Sequence, residues 1–376
     1  MERIVIVGHS IAGLTCGDTL RQRGFAGELT YIGAEDVPAY PRPSLSKAAL
    51  LPGAGSDIAP LPSFGEATEL LGRRAVSLDT AARTVLLDDT TALPYDGLVI
   101  ATGSRARRLT DSPREFTLRF LADAQVLRER LLQRPRVSII GGGPLGMEVA
   151  SGAVGLGCEV TLLNPGVPLS QHLGPLLGGI LAELAAEAGV RILDTLVESV
   201  AETDTGMAVT LPSGEVLASD IVFTGIGDDP DVGWLADSGL LIDARLLVDT
   251  RQRVLGHPGI VACGDVCWID GPDGPRRSPV WTSALEQGRI AAGGLLDGDA
   301  APERHHPFYF WTDQWGVNLK VSGTPPREEV APEVVEGSLE ERSFIIRWPE
   351  HGAAAALDRR MPVPRLHRLA AGATPR

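Results

Sequence analysis

Ile4-Val5-Ile6-Val7 runs directly into Gly8-His9-Ser10-Ile11-Ala12-Gly13, and the same design returns at Val137-Ser138-Ile139-Ile140 followed by Gly141-Gly142-Gly143-Pro144-Leu145-Gly146. In both places a short apolar β run meets a glycine-rich turn, then a helical stretch, then a second β run, Leu29–Ile32 in the first copy and Glu159–Leu163 in the second. Each glycine has a separate task. The first makes the sharp turn, the second lets the backbone approach a pyrophosphate, and the third lets helix and strand pack closely. The helix that follows then offers unpaired N–H groups to phosphate oxygens. Strand, turn, helix and strand form the opening unit of a dinucleotide-binding fold, and two copies predict two nucleotide sites. Ser10 stands where the first copy should have its second glycine, and its hydroxyl can donate to a phosphate oxygen.

Outward from these stretches, 376 residues allow two or three domains at about 150 residues each. With 44 glycines and 28 prolines the chain is rich in turns, and 44% apolar against 22% charged residues suits a globular protein. The net charge of −14 opposes binding to a phosphate backbone, so nucleic acid is not an expected partner. No apolar run reaches the roughly 18 residues of a membrane span, and Met1-Glu2-Arg3 leads into the first strand without signal-peptide architecture, so a cytoplasmic location is expected. Cys16, Cys158, Cys263 and Cys267 are too few and too scattered for a disulfide framework or a four-thiolate zinc site, and no metal site is expected. Beyond about residue 300, Phe308-Tyr309-Phe310-Trp311 leads into alternating segments such as Val317–Val321 and Ser343–Trp348, the pattern of antiparallel strands. The fold class predicted is α/β, with two Rossmann-like nucleotide-binding domains and a small C-terminal α+β domain.

Further motifs then bring a resemblance into view. They are Tyr40-Pro41-Arg42-Pro43-Ser44-Leu45-Ser46-Lys47, Tyr95 through Ser104 with Ala101-Thr102-Gly103 at its end, Gly141–Glu148, and Gly225-Ile226-Gly227. Ala262-Cys263-Gly264-Asp265-Val266, Trp281 through Gly288, and Phe310-Trp311-Thr312-Asp313-Gln314 complete the series. In this order they resemble the FAD-dependent, NAD(P)H-utilising ferredoxin reductases that feed bacterial cytochrome P450 and Rieske-type oxygenases, the putidaredoxin-reductase-like branch of the glutathione-reductase-like flavoproteins. The resemblance implies an FAD-binding domain in two parts, 1–110 and 225–300, a nicotinamide domain at 111–224 and the C-terminal domain at 301–376.

By the same resemblance, Gly8, Ser10, Ile11, Ala12 and Gly13 cradle the FAD pyrophosphate, and Ala34, Glu35 and Val76 are further cofactor-binding positions. Ala101, Thr102 and Gly103 carry the chain past FAD, Asp265 meets the ribityl and phosphate region, and Arg42 and Arg119 fall on FAD-contacting positions. Trp281 and Trp311 enclose the flavin. Gly141, Gly143, Gly146 and Asn164 fall to the nicotinamide nucleotide, while Gly225 and Gly227, cofactor-binding as well, mark the chain's return to the FAD domain. Lys47 has weight of its own, because the chain has only two lysines, Lys47 and Lys320, among 34 basic residues, and a compact ammonium in a matched motif is a chemical choice. The resemblance puts Lys47 beside the isoalloxazine, where its charge offsets that of the reduced flavin, and pairs it with Glu148 near the nicotinamide.

Two departures bear on the electron donor. Asn164 stands where an acidic residue usually holds the adenine-ribose hydroxyls, and Pro165 through Gln171 contain no Arg or Lys to receive a 2′-phosphate. Gly227 is followed by Asp228-Asp229-Pro230-Asp231, whose carboxylates would repel a dinucleotide they faced. NADH is therefore favoured over NADPH. The implied reaction is hydride transfer from NAD(P)H to FAD, then single-electron transfer to a small acidic iron–sulfur ferredoxin, with Arg105, Arg107, Arg108, Arg276 and Arg277 as candidate docking cations. The alternatives are a diverged FAD-dependent oxidase or dehydrogenase acting on a small metabolite, and a flavin-binding redox sensor.

Overall fold

The structure, a computed structural model, describes residues 1–50, 58–272, 274–302 and 308–372. Its contacts divide the chain into two units. One comprises Met1–Pro41, Ile58–Arg105 and Asp229–His306, and the other Arg42–Asp57, Ala106–Asp228 and Pro307–Arg376.

The first unit is built on a parallel five-stranded sheet in the order Ile260–Ala262, Gly97–Ile100, Arg3–Val7, Glu28–Gly33 and Thr68–Leu71. Ile4 lies opposite Leu29 on one side and Gly97 on the other. Its central strands are near-continuous apolar runs because a parallel sheet is covered on both faces. One face carries the helices Ile11–Gln22 and Trp281–Asp297, which close on each other because Gly288 has no side chain: a Cβ there would lie 2.5 Å from the Ala12 carbonyl oxygen. The opposite core joins Val5, Val7, Leu98 and Ile100 to Val85 and Leu87 of an antiparallel sheet formed by Ala75–Asp79, Thr84–Leu87 and Ala92–Pro94.

The second unit repeats the parallel design with the order Arg191–Leu193, Glu159–Leu163, Arg136–Ile140, Ile221–Thr224 and Glu115–Phe116. The helix Pro144–Gly155 follows its glycine turn, and the helix Ser170–Glu187 is broken at Gly174, φ 76°, just before Pro175. This unit also holds an antiparallel five-stranded sheet, ordered Tyr309–Gln314, Val317–Ser322, Ala353–Leu357, Ser343–Trp348 and Glu333–Ser338, with the amphipathic helix Val363–Ala370 packed on it through Leu366 and Leu369. The α/β class with a C-terminal α+β element is the one the sequence predicts. Residues 303–307, at the start of the expected C-terminal domain, lie outside the described residues.

Candidate functional site

In the first unit, Gly8 adopts φ 119°, and a Cβ on it would sit 2.0 Å from the Ala101 carbonyl oxygen. Gly13 is equally constrained, since its Cβ would lie 2.1 Å from the Gly8 carbonyl oxygen. Only glycine fits either position. Ser10 has φ −134°, extended backbone open to any residue, which accounts for serine at the motif's second glycine. Ile11 and Ala12 open the helix, whose first turn carries no acidic residue to compete for its N–H groups. This cradle fits a dinucleotide phosphate.

Ala34 is exposed and Glu35 half-buried just beyond the second strand, and the Tyr40 hydroxyl donates to Glu35 Oε2 at 2.7 Å. Ala101 N–H donates to Val7 (2.7 Å), while Thr102 Oγ1 and Gly103 O bond the backbone of Asp231 at 2.8 and 2.9 Å. Asp265 is half-buried after Gly264, and its carbonyl accepts from Arg277 Nε at 3.1 Å. Trp281 is the first residue of its helix and half-buried, whereas Val76 lies 45% exposed on the hairpin sheet. The sequence reading passed over His9. Its side chain is only 3% exposed, with Nε2 3.5 Å from Glu69 Oε1 and its ring centroid 5.1 Å from that of Tyr31. Burial holds its pKa below the usual histidine range, against the opposing pull of Glu69.

In the second unit, a Cβ on Gly141 (φ 101°) would lie 2.4 Å from the Gly225 carbonyl oxygen, and one on Gly146 would lie 2.0 Å from that of Gly141. Gly143 precedes Pro144 at the helix start, Gly225 N–H donates to Ile140, and Gly227, φ 101°, accepts from Arg107 N–H at 3.1 Å. Gly141, Gly146 and Gly225 therefore meet where the neighbouring strands Arg136–Ile140 and Ile221–Thr224 end, with Gly143 and Gly227 in the adjoining turns. Asn164 joins them in an unforeseen way: its Oδ1 accepts from Gly142 N–H at 2.8 Å, and Nδ2 donates to the carbonyls of Pro165 and Gly166 at 3.1 and 3.0 Å. Both amide hydrogens are spent inside the loop, leaving a ribose only the remaining lone pair of Oδ1.

The second unit also gathers Arg42, Lys47, Arg119, Glu148 and Trp311. Glu148 lies on the helix Pro144–Gly155, where Gly152, one turn further on, lets Leu50 close against the helix: a Cβ on Gly152 would be 2.9 Å from Leu50 Cβ. That approach carries Ser46 and Lys47 to the carboxylate. Lys47 Nζ donates to Glu148 Oε1 at 2.7 Å, Thr312 Oγ1 donates to the same oxygen at 2.6 Å, and Ser46 Oγ donates to Oε2. The Lys47 and Glu148 side chains are 16% and 5% exposed, so this is a buried ion pair in which hydroxyl donors reach both carboxylate oxygens. Lys47 Nζ also lies 5.8 Å from the Trp311 ring centroid, and Arg42 donates to the Arg119 carbonyl while stacking over Phe120 at 5.4 Å. Ser46, Thr312 and Gln314 are site residues that sequence reasoning missed, although each lies in a motif it singled out.

The sequence profile of the pyridine nucleotide-disulphide oxidoreductases matches residues 2–288. The chain belongs to that family. Among its relatives in the pyridine nucleotide-disulphide oxidoreductase family is the 3-phenylpropionate/cinnamic acid dioxygenase ferredoxin–NAD(+) reductase component of Photorhabdus laumondii, 33% identical over 93% of this chain and 90% of the relative. The ferredoxin reductase for the CYP199A2 system from Rhodopseudomonas palustris is 30% identical with a TM-score of 0.85, covering 96% of this chain and 92% of that one. Putidaredoxin reductase, solved in its covalent complex with putidaredoxin, is 29% identical with a TM-score of 0.84 over 97% and 91% of the two chains.

Despite the family name, all four cysteines here are free and buried. Burial pushes the Cys158 thiol up to about 11 and Cys267 up to about 12, and Cys16 and Cys263 are raised as well. Thiolate chemistry at neutral pH is correspondingly suppressed. Two of the arginines weighed for docking make bonds within the chain while staying exposed: Arg105 pairs with Asp231 at 2.8 Å, and Arg108 donates to the carbonyls of Thr110, Ser112 and Glu115.

Proposed function

We propose that this protein is an FAD-dependent ferredoxin reductase, taking hydride from NADH and passing electrons singly to a small acidic iron–sulfur ferredoxin that serves a cytochrome P450 or Rieske-type oxygenase. The observation that carries it is 33% identity over 93% of the chain to a ferredoxin–NAD(+) reductase component. The two glycine turns support it by offering two separate dinucleotide cradles. Bound FAD supplies the conversion of a two-electron donor into a one-electron donor.

The chain's own residues divide the remaining work. Gly8 through Gly13 take the FAD pyrophosphate, Glu35 its ribose, and Ala34 and Val76 the adenosine end. Thr102 and Asp265 serve the ribityl and phosphate region, with Arg42, Arg119, Trp281 and Trp311 as further contacts. FAD binding falls to 1–110 and 225–300, nicotinamide binding to 111–224, and the C-terminal domain runs from 301 to 376. Gly141, Gly143, Gly146, Gly225 and Gly227 admit the NADH pyrophosphate. Asn164 shapes that turn, and the absence of Arg or Lys from Pro165 through Gln171 disfavours the 2′-phosphate of NADPH. Lys47 offsets negative charge on the reduced flavin, and Glu148 keeps Lys47 in place. Hydride transfer needs aligned rings rather than a proton donor, so no general acid is assigned.

Among the described residues no helix is long and apolar enough to cross a membrane, and we place the protein in the cytoplasm. The test is anaerobic mixing of the yellow holoprotein with NADH or NADPH, followed by a ferredoxin. Rapid bleaching by NADH, slower bleaching by NADPH and reoxidation by the ferredoxin are expected. A flavin that neither donor bleaches, or a preparation that cannot be loaded with FAD, refutes the reading.

A further inference from the structure

Glu148 and Ser151 stand three residues apart on one face of the helix Pro144–Gly155, and both are bonded to the end of the C-terminal strand Tyr309–Gln314. Thr312 Oγ1 donates to Glu148 Oε1 at 2.6 Å, and Trp315 N–H donates to Ser151 Oγ at 2.9 Å. Thr312 is fully buried, Gln314 is 3% exposed, and the Gln314 Nε2 group donates to Thr312 Oγ1 at 3.1 Å. The direction of this chain is determined by its end. A carboxylate only accepts, so the single proton of the Thr312 hydroxyl goes to Glu148, and the hydroxyl oxygen must then accept from Gln314.

We propose that Thr312, oriented by Gln314 and assisted by Ser46, is a positioning residue for flavin reduction: its hydroxyl holds the Glu148 carboxylate in the rotamer that presents it to Lys47. The proposal rests on the reading of Lys47 and Glu148 given above. Lys47 is a flexible four-carbon stem ending in a point charge, and by itself it fixes neither the plane nor the rotation of a carboxylate. Two hydroxyls arriving from separate segments, Ser46 at Oε2 and Thr312 at Oε1, supply the missing constraints. They also take up part of the carboxylate charge as neutral dipoles in a buried setting, so that less of the Lys47 charge is spent on Glu148 and more remains for its task. By this account the C-terminal sheet contributes to the electron-accepting step through Thr312, in addition to any part it plays in meeting a partner protein.

The experiment compares Thr312→Val, Thr312→Ser, Glu148→Gln and the Thr312→Val/Glu148→Gln double variant. Anaerobic single-turnover reduction by NADH separates the limiting rate from donor affinity, and thermal unfolding of flavin-free protein gives a readout that does not involve turnover. Loss of one hydrogen bond to a charged group predicts that T312V slows the limiting rate by about tenfold or more while the concentration of NADH giving half the limiting rate moves less than about twofold. T312S should return to within about twofold of the parent, and in the E148Q background T312V should add less than about a twofold further loss, because the group it positions is gone. In flavin-free protein, T312V should lower the melting temperature more in the parent than in E148Q, reporting the contact directly. Should T312V misfold, Ser46→Ala probes the other oxygen with the same predictions. Stability coupling with an unchanged limiting rate makes Thr312 a purely structural residue and overturns the proposal. Equal slowing by T312V in both backgrounds overturns it too. E148Q reducing as fast as the parent identifies a different failure, that of the role assigned to Glu148 itself.

Discussion

Replacing Lys47 with Met removes an ammonium at nearly constant volume and leaves Glu148 a buried carboxylate without its countercharge. The cost depends on which regime the pair occupies. Exposed pairs contribute about 0–1 kcal/mol, whereas breaking a buried pair by removing one partner costs about 3–5 kcal/mol. With side chains 16% and 5% exposed and Nζ 2.7 Å from Oε1, Lys47 and Glu148 fall in the second regime. Glu148 keeps its donors from Ser46 and Thr312, which places the loss near the lower end, about 3 kcal/mol. At about 1.3 °C per kcal/mol for a chain of 376 residues, flavin-free Lys47→Met should melt roughly 4 °C below the parent. Adding Glu148→Gln removes the stranded charge and should recover most of that loss, so the double variant should be more stable than Lys47→Met alone. In flavin-loaded protein the same substitution should retain FAD but slow reduction by NADH by about tenfold or more, the effect of about 1.4 kcal/mol of lost charge stabilisation. Differential scanning calorimetry of the four-member cycle and anaerobic stopped-flow absorbance are the assays. A Lys47→Met variant that melts within 1 °C of the parent, or one that Glu148→Gln destabilises further, would refute the buried-pair argument.

Asn164→Asp gives a ribose a charged acceptor but abandons two donations to the Pro165 and Gly166 carbonyls, so the Michaelis constant for NADH should stay within about threefold of the parent and NADPH should gain nothing; a tenfold gain for NADH would mean that the loop bonds do not matter. The four buried, high-pKa thiols should resist iodoacetamide at pH 7, with mass spectrometry finding less than one label per native chain and turnover intact; rapid labelling with loss of turnover contradicts the packing. His9 makes stability pH-dependent. Its folded pKa lies below the unfolded value of about 6.5, so the stability that its neutral form contributes is complete above that pH and lost as pH falls toward the folded value. His9→Ala should therefore show a smaller drop in melting temperature between pH 7.5 and 5.5 than the parent, and equal drops would show that His9 does not titrate in this range.

Much of the fold was legible because its deciding constraints are local. Gly8 and Gly141 need positive φ and a missing Cβ, and a strand-turn-helix pattern around them states that need in a few consecutive residues. Lys47 stood out by its rarity among arginines, and Glu148 by its place in a matched motif. The tertiary structure alone decided what these residues touch. The three donors on Glu148 come from positions 46, 47 and 312, and the last depends on the register of a strand 164 residues away against one helix face. Ser46 and Thr312 have no signature of their own, since a buried serine or threonine reads in sequence like any small polar residue. Asn164 shows the same limit: its position at the strand end is local and was readable, but whether its amide faces a ligand or folds back on its own loop depends on the path of Pro165 and Gly166. Local backbone geometry is written in neighbouring residues, whereas hydrogen-bond partnership is set by the packing of distant segments and exists only once the chain has folded.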